Sequence, residues 1–176
     1  MSAPRSVSVW DPVVRTFHWG VALLFLLNYW LLEGGGAPHK WVGYAIAALL
    51  AIRIIWGFCG SPNARFRNFW PTRARLRHHL LQLQNHEFDA TEGHNPLGAL
   101  MILFLMTMLT LTAVSGWMLG LDAFWGDDWV ENLHEYAATT LMIAVGIHIP
   151  AVLTMSRLTG LKLIRTMISG RRSLPD

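Results

Sequence analysis

The chain has 176 residues, of which 53% are hydrophobic and 14% are charged, with a formal net charge of +3. This length fits one domain, and the charged share is about half that of an ordinary soluble domain. The single cysteine, Cys59, excludes an internal disulfide, a four-thiolate metal centre and the two-cysteine attachment of a c-type haem. The basic residues fall between apolar segments, so a membrane is expected as the partner and a nucleic acid is not.

Four apolar segments are each long enough to cross ~30 Å of hydrocarbon. They predict membrane spans at about 13–32, 39–58, 96–119 and 129–153, joined by short turns and by one polar loop at 60–93. The first apolar segment ends without a small-residue cleavage site, so we expect it to remain as a span. The basic and apolar tail 156–172 is expected to lie along the membrane surface. The sequence therefore predicts one all-α membrane domain over residues 1–176, a four-transmembrane-helix bundle.

The charges separate by side of this predicted bundle. One side carries Lys40 with acidic residues, namely Glu33, Asp122, Asp127, Asp128 and Glu131. The other side carries nearly all the basic residues, which are Arg5, Arg15, Arg65, Arg67, Arg73, Arg75, Arg77, Arg157, Lys162, Arg165, Arg171 and Arg172. Because cytoplasmic loops are enriched in Lys and Arg, both termini and the loop 60–93 are expected in the cytoplasm.

Four histidines, His18, His39, His134 and His148, fall within the spans or at their edges. A single histidine at that depth is as well explained by a hydrogen-bonded core position as by metal binding. His134 and His148 are 14 residues apart on one span, so they share a helix face and lie ~21 Å apart along its axis. Depth then pairs His18 with His148 on the cytoplasmic side and His39 with His134 on the outer side. Two axial imidazoles per iron favour two non-covalent haems b that transfer electrons.

Two basic residues are candidates to contact haem propionates. Arg53 lies 14 residues after His39 on the second span and so shares its face, at the depth of the cytoplasmic pair. An arginine inside a bundle needs an anionic partner, although snorkelling to the surface is an alternative for Arg53. Lys40 is the corresponding candidate for the outer haem. Small residues would let flat macrocycles approach the helices, or would serve helix packing; they are Gly20, Gly43, Gly98, Gly116 and Gly146.

The remaining histidines are interpreted differently. His78, His79 and His86 lie in an expected amphipathic surface helix over 73–89, where we predict that they are solvated. His94 opens the third span in the string Gly93-His94-Asn95-Pro96. Its sequence leaves two roles open, a helix cap and a hydrogen bond to a quinone.

Several strings resemble the bacterial cytochrome b561 family, which includes the b-type cytochrome subunits of nickel–iron hydrogenases. They are W-D-P-V-V-R-T-F-H-W at 10–19, H-K-W-V-G-Y at 39–44, R-I-I-W-G-F at 53–58, A-R-F at 64–66, G-H-N-P-L-G at 93–98, H-E at 134–135 and the lone His148. The resemblance covers nearly the whole chain. It implies that His18, His39, His134 and His148 ligate two haems b in a multi-pass protein of the bacterial inner membrane.

The resemblance also implies electron transfer between the membrane quinone pool and a redox partner, such as a c-type cytochrome or a dehydrogenase or hydrogenase subunit. One alternative is a stand-alone superoxide:quinone oxidoreductase, although the acidic outer turn would repel that anion. A second alternative is a haem-free membrane scaffold in which the histidines only join helices through hydrogen bonds.

Overall fold

The computed structural model describes residues 6–32, 34–85 and 95–173. Within them the chain is mostly helical. The α-helices are α1 (Pro12–Trp30), α2 (Ala37–Cys59), α3 (Phe66–Phe69), α4 (Arg73–Asn85), α5 (Pro96–Met118), α6 (Asp128–Thr159) and α7 (Leu163–Ser169). Two 3₁₀ turns lie at Pro62–Ala64 and Asp122–Phe124, and two short strands, β1 (Ser6–Ser8) and β2 (Arg171–Ser173), form an antiparallel ribbon.

Polar residues at the helix starts explain where two of the long helices begin. Asp11 precedes α1 and accepts a hydrogen bond from the backbone N–H of Val14 at 3.0 Å. Asn95 does the same for α5, accepting from the N–H of Gly98 at 2.6 Å. Both helices then have proline as their first residue, where a missing N–H costs nothing. The G-H-N-P-L-G string therefore contains a helix cap, and the cap is Asn95.

In the described residues, three helices are long and apolar enough to cross a membrane: α2, α5 and α6. α1 has 19 residues but is not among them. Arg15, His18 and Asn28 are polar residues within it and lower its hydropathy. Three of the four predicted spans thus have a candidate helix in support. The first predicted span, at 13–32, stays a prediction.

The described residues fall into two compact units. We call residues 16–54 and 103–147 the central unit; its core contains Phe25, Ile46, Leu50, Leu109 and Leu141. Residues up to 15, 55–102 and from 148 onward form the terminal unit, whose core is Val9, Trp10, Val14 and Ala64. The cores are built differently, since four of the long helices supply the first and the N-terminal segment with the 3₁₀ turn supplies the second.

The structure departs from the sequence prediction in three places. α6 continues to Thr159, six residues beyond the predicted end of the span at 153, and Pro150 lies inside it. Polar side chains marked the expected end, but a helix satisfies its own backbone whether or not its side chains are apolar. The β1–β2 ribbon was not predicted, because it joins residues near opposite ends of the chain.

The third difference concerns His79, which is only 5% exposed. The prediction that it is solvated is therefore wrong, whereas its neighbour His78 is exposed as expected. The two residues lie on different faces of α4, and His79 shares its face with Leu76 three residues earlier. His86 and His94 lie outside the described residues.

Candidate functional site

His39 and His134 face each other in the central unit. His39 lies in the first turn of α2 and His134 in the second turn of α6. Their ring centroids are 6.0 Å apart and the ring planes are inclined by 69°. Histidine nitrogens bind metal ions at ~2 Å, so one metal ion between rings at this separation could be reached by both.

Backbone carbonyls hold both rings through the same nitrogen. Nδ1 of His39 is 2.9 Å from the carbonyl oxygen of Leu32, and Nδ1 of His134 is 3.0 Å from that of Thr112. A carbonyl can only accept, so Nδ1 of each neutral ring carries the proton and Nε2 carries the lone pair. This is the arrangement that orients a histidine for metal binding. Both rings are therefore prepared to present Nε2 to a metal.

Gly116 and Ser115 of α5 fit closely around His134. A Cβ atom at position 116 would lie 2.9 Å from Cε1 and 3.1 Å from Nδ1 of that ring. Glycine thus allows the imidazole to reach the Thr112 carbonyl. Ser115 is fully buried; its hydroxyl donates to the Leu111 carbonyl at 2.6 Å and lies 3.3 Å from Nδ1 of His134.

The glycines named from the sequence divide into two groups. A Cβ at Gly43 or Gly146, both in the central unit, would meet nothing within 4 Å. A Cβ at Gly20 would lie 3.1 Å from Leu49, and one at Gly98 would lie 3.1 Å from Asn95. Gly20 and Gly98 therefore serve helix packing and capping. Gly43 lies one helical turn after His39 and leaves open space on that part of α2.

No group of three or more His, Cys, Asp and Glu side chains is placed to hold a metal ion among residues 6–32, 34–85 and 95–173. A haem brings four nitrogen ligands of its own and takes only axial ligands from the protein. A pair of facing imidazoles with space beside them fits that requirement. Haem b would be held by His39 and His134 at this site.

The other predicted site residues differ in their burial. His18 is half-buried in α1, with its ring edge-on to that of Trp19 at 4.9 Å. His148 is half-buried in α6. His18 belongs to the central unit and His148 to the terminal unit, so their pairing stays a prediction. Arg53 is 2% exposed, and Lys40 is exposed.

A second polar cluster surrounds Asp11 in the terminal unit. Its carboxylate accepts hydrogen bonds from the Ser61 hydroxyl at 2.5 Å and from the Trp56 indole N–H at 3.1 Å, besides the bond from Val14. Burial acts to raise the pKa of Asp11, but these donors outweigh it and hold the pKa below its ordinary value. Asp11 therefore joins the start of α1 to the end of α2 as a charged acceptor.

Comparison with known proteins identifies the family. The profile of the prokaryotic cytochrome b561 family matches residues 9–170, almost the entire chain. The chain belongs to the prokaryotic cytochrome b561 family. Membership of a b-type cytochrome family implies haem b, and together with the three candidate spans it makes this a membrane protein.

Two curated proteins are similar to this chain over nearly its full length. A probable Ni/Fe-hydrogenase B-type cytochrome subunit of Rhodobacter capsulatus is 25% identical over 217 aligned positions, covering 97% of this chain and 83% of that protein. One of the same description from Rhizobium leguminosarum bv. viciae is 22% identical over 218 positions, covering 98% of this chain and 91% of the relative. Both alignments are longer than 176 residues, so they contain gaps opposite segments that the relatives have in addition.

Sequence reasoning found the facing histidines but not the groups that orient them. Leu32 and Thr112 act through their carbonyls, which no residue type reveals. Ser115 carried a weak signal, because it is a small polar residue beside Gly116 in an otherwise apolar helix. Asp11 was part of a recognised string, yet its hydrogen bonds with Ser61 and Trp56 join residues about 50 positions apart.

Proposed function

We propose that this protein is a di-haem b electron-transfer protein that moves electrons between the quinone pool and a redox partner. The observation that carries the proposal is the facing pair His39 and His134, each with Nδ1 held by a backbone carbonyl. Haem b supplies a reversible one-electron iron couple when bound. An iron held by two histidines would have no site left for a substrate, which favours electron transfer over chemistry at the iron.

The second haem in this proposal uses His18 and His148. His148 follows His134 by 14 residues on the same helix, α6, which places the two ligands on one face and ~21 Å apart along the axis. Both His18 and His148 are half-buried. Partial burial fits a ligand that has protein on one side and a haem on the other. Arg53 and Lys40 are the proposed propionate partners. The burial of Arg53 supports its role, because it places the guanidinium inside the central unit and not at its surface.

In the proposed topology four spans cross the inner membrane of a bacterium, and both termini lie in the cytoplasm. α6 has 32 residues and is ~48 Å long, more than the hydrocarbon thickness of ~30 Å. The described termini and the loop between α2 and α5 carry the basic residues, and the turn between α5 and α6 carries Asp122 and Asp127. This distribution is the one that the positive-inside tendency predicts.

The outer turn is the proposed docking place of a redox partner with a basic surface, such as a c-type cytochrome. Asp122, Asp127 and Asp128 are exposed there, and Trp125 is 87% exposed. The relatives are described as hydrogenase cytochrome subunits, so a hydrogenase is the other candidate partner. Quinone would exchange electrons near either haem.

The first test is the haem content of the purified protein. A pyridine haemochrome assay should give two haems b per chain, and the reduced protein should show a sharp α-band. His134→Ala and His39→Ala should each remove one haem and leave the other, because the ring that remains supplies only one axial ligand. His78→Ala, at an exposed histidine of α4, is the matched control and should keep both haems.

Other haem contents would decide against the proposal in stages. A protein with no α-band would be a haem-free scaffold. One haem per chain would exclude the di-haem version, and normal haem content in His134→Ala would remove the facing pair from the ligand set.

The second test is electron exchange with candidate donors and acceptors. Stopped-flow mixing with quinol, reduced c-type cytochrome and superoxide should show fast haem reduction by quinol. Replacing Asp122, Asp127 and Asp128 with Asn should slow exchange with a basic cytochrome and flatten its salt dependence, while reduction by quinol stays unchanged. Fast reduction by superoxide with no response to quinol would instead identify a superoxide-oxidising enzyme.

A further inference from the structure

The short helix α7 has two distinct faces. Thr166 is 2% exposed and Met167 packs against the core of the terminal unit. On the opposite face Ile164 is 43% exposed and Ile168 is 56% exposed. These two isoleucines are four residues apart, so they form one apolar stripe on the surface.

Several contacts fix which face of α7 points outward. The carbonyl of Gly170, the residue after the helix, accepts from the N–H groups of Val9 at 2.8 Å and Trp10 at 3.1 Å. The Arg15 guanidinium donates to the carbonyl of Ile168. Gly170 has φ of +77°, a left-handed conformation that glycine adopts without strain, and the ribbon of β1 and β2 follows. The helix is therefore held rigidly enough to present its isoleucines.

Exposed cations border the isoleucine stripe. Arg165, which follows Ile164 in sequence, is exposed on α7, and the exposed Lys162 precedes the helix. Arg157 and Leu158 are exposed in the last turn of α6, where Leu158 is 57% exposed. Asp11 is the one acidic residue in the part of the terminal unit that the structure describes, and its carboxylate is occupied by Ser61 and Trp56. Within the described part of the terminal unit, the surface thus combines apolar area with positive charge that Asp11 does not neutralise.

Chain connectivity keeps this surface near the membrane. α6 is a candidate span that ends at Thr159, and α7 begins at Leu163. Four Cα–Cα steps reach at most ~14 Å, so α7 starts within that distance of the end of α6. α6 is ~48 Å long and a bilayer with its headgroups is ~40–45 Å thick, so a spanning α6 would end near the headgroups.

We propose that α7 is an interfacial helix that binds acidic phospholipid. Ile164 and Ile168 enter the acyl boundary, while Lys162 and Arg165 contact the headgroup phosphates. A soluble anion or a nucleic acid would match the cations but would leave the isoleucines in water. A lipid with an anionic headgroup matches both, and such segments bind more tightly as their buried apolar area and basic charge increase.

The single cysteine makes a direct test practical. In a Cys59→Ser background, Ser169→Cys places one fluorophore beside the exposed face of α7 in the full-length, haem-loaded protein. The protein is reconstituted in phosphatidylcholine bilayers that contain either brominated phosphatidylcholine or brominated phosphatidylglycerol. Quenching by each lipid gives their relative association constant at α7.

Both lipids should quench the fluorophore, and phosphatidylglycerol should be preferred. Each cation near an anionic membrane contributes roughly a fivefold factor, so Lys162→Gln with Arg165→Gln should abolish most of this preference. The preference should also weaken as ionic strength rises. Ile164→Ser with Ile168→Ser should reduce quenching by both lipids. Arg67→Gln with Arg73→Gln, which removes two exposed cations from α3 and α4, is the matched control and should keep the preference.

Four results would overturn the proposal. Absence of quenching by either lipid would place α7 away from the membrane, facing solvent or another protein. Equal quenching would make it an interfacial helix without selectivity for acidic lipid, and an equal loss in the control pair would show a general effect of charge. Displacement by millimolar inorganic phosphate would indicate a soluble anion. The comparison of the two lipids needs only the labelled protein and neither double variant of α7, so it stands even if those variants fail to fold.

Discussion

The central and terminal units are held together by different interactions. In the central unit the core is an apolar cluster that includes Phe25, Leu50 and Leu141, and polar contacts between its helices concentrate at His134. In the terminal unit the apolar core is smaller, and polar groups such as Asp11 and the Gly170 carbonyl connect segments that are far apart in sequence. Among the described residues, hydrogen bonds between distant segments are thus a feature of the terminal unit.

The proposed topology explains this difference physically. Inside hydrocarbon each helix must satisfy its own backbone, and an unsatisfied polar group there costs several kcal/mol. Helices in lipid therefore meet through apolar side chains, and a polar side chain survives only where it has a partner or a cofactor. At the headgroup level water is available, so short helices, a ribbon and a charged carboxylate are all tolerated. The following predictions, from the largest effect to the smallest, test this division.

His134→Ala should have the largest effect and should confine it to the central unit. We expect loss of one haem of two, because the ring that faces His39 is removed. The terminal unit should keep its structure, since its hydrogen bonds do not involve this residue. Haem content and limited proteolysis of the tail 160–173, compared with the His78→Ala control, measure both effects. If His134→Ala kept the haem content of the wild type but its tail was digested faster, the result would contradict this expectation.

Gly57→Ala should destabilise the terminal unit. A Cβ at this position would lie 2.0 Å from Cε2 and 2.4 Å from Cζ of Phe66, a ring that also packs against Phe58 and Phe69. Forcing the ring aside should cost about 2–3 kcal/mol, the upper part of the range for overpacking. Thermal unfolding in detergent, of the protein with and without haem, measures the loss.

The matched control for Gly57→Ala is an alanine at a glycine with space. A Cβ at Gly43 would meet nothing within 4 Å of the protein. Without haem, Gly43→Ala should therefore be neutral or slightly stabilising, as alanine is in a helix. With haem bound it should weaken retention of the outer haem if the macrocycle uses that space. Equal stability of Gly57→Ala and Gly43→Ala in the haem-free protein would show that Phe66 moves freely.

Asp11→Ala should lower the free energy of unfolding by about 1–2 kcal/mol at neutral pH. It removes the cap of α1 and leaves the Trp56 and Ser61 donors without their acceptor. Ser169→Ala, which removes only local hydrogen bonds to Arg165 and Arg171 in the same unit, is the control. A loss no larger than that of the control would mean that solvent replaces the carboxylate without cost.

The acid dependence of stability should identify Asp11 as an ionised acceptor. Its pKa in the folded protein lies below the ordinary value of 3.8, so its contribution is complete above that value and disappears as pH falls through the folded pKa. The stability difference between wild type and Asp11→Asn should therefore shrink below about pH 4. A difference that grows on acidification would contradict the lowered pKa.

Ser115→Ala should have the smallest effect. The Thr112 carbonyl still holds the His134 ring at 3.0 Å, and only the hydroxyl at 3.3 Å is lost. We expect a change of about 0.5–1 kcal/mol in the interactions of that ring, which corresponds to ~20–40 mV in the midpoint potential of the outer haem. Redox titration resolves this shift, and Thr110→Val, which removes a hydroxyl from the same helix, is the control. An equal shift in both variants would point to helix packing.

Local rules explain how much of the fold was predictable. The apolar runs located three candidate spans, because a membrane helix needs no information beyond its own hydropathy. The helix starts at Pro12 and Pro96 follow from the residues beside them. α6 continues beyond the predicted end of its span, and His79 is buried where solvent exposure was predicted. Composition does not determine either the end of a helix or which of its faces is buried.

For the candidate site, the sequence by itself determined which imidazoles are available. The 14-residue spacing also determined that His134 and His148 share a face of one helix. Only the tertiary structure decided that His39 faces His134 and that both present Nε2, because the Leu32 and Thr112 carbonyls come from other parts of the chain. It also decided that Asp11 is a shared acceptor and that α7 turns its isoleucines outward. The residue type determines the chemistry of a side chain, but its partners depend on contacts between distant segments.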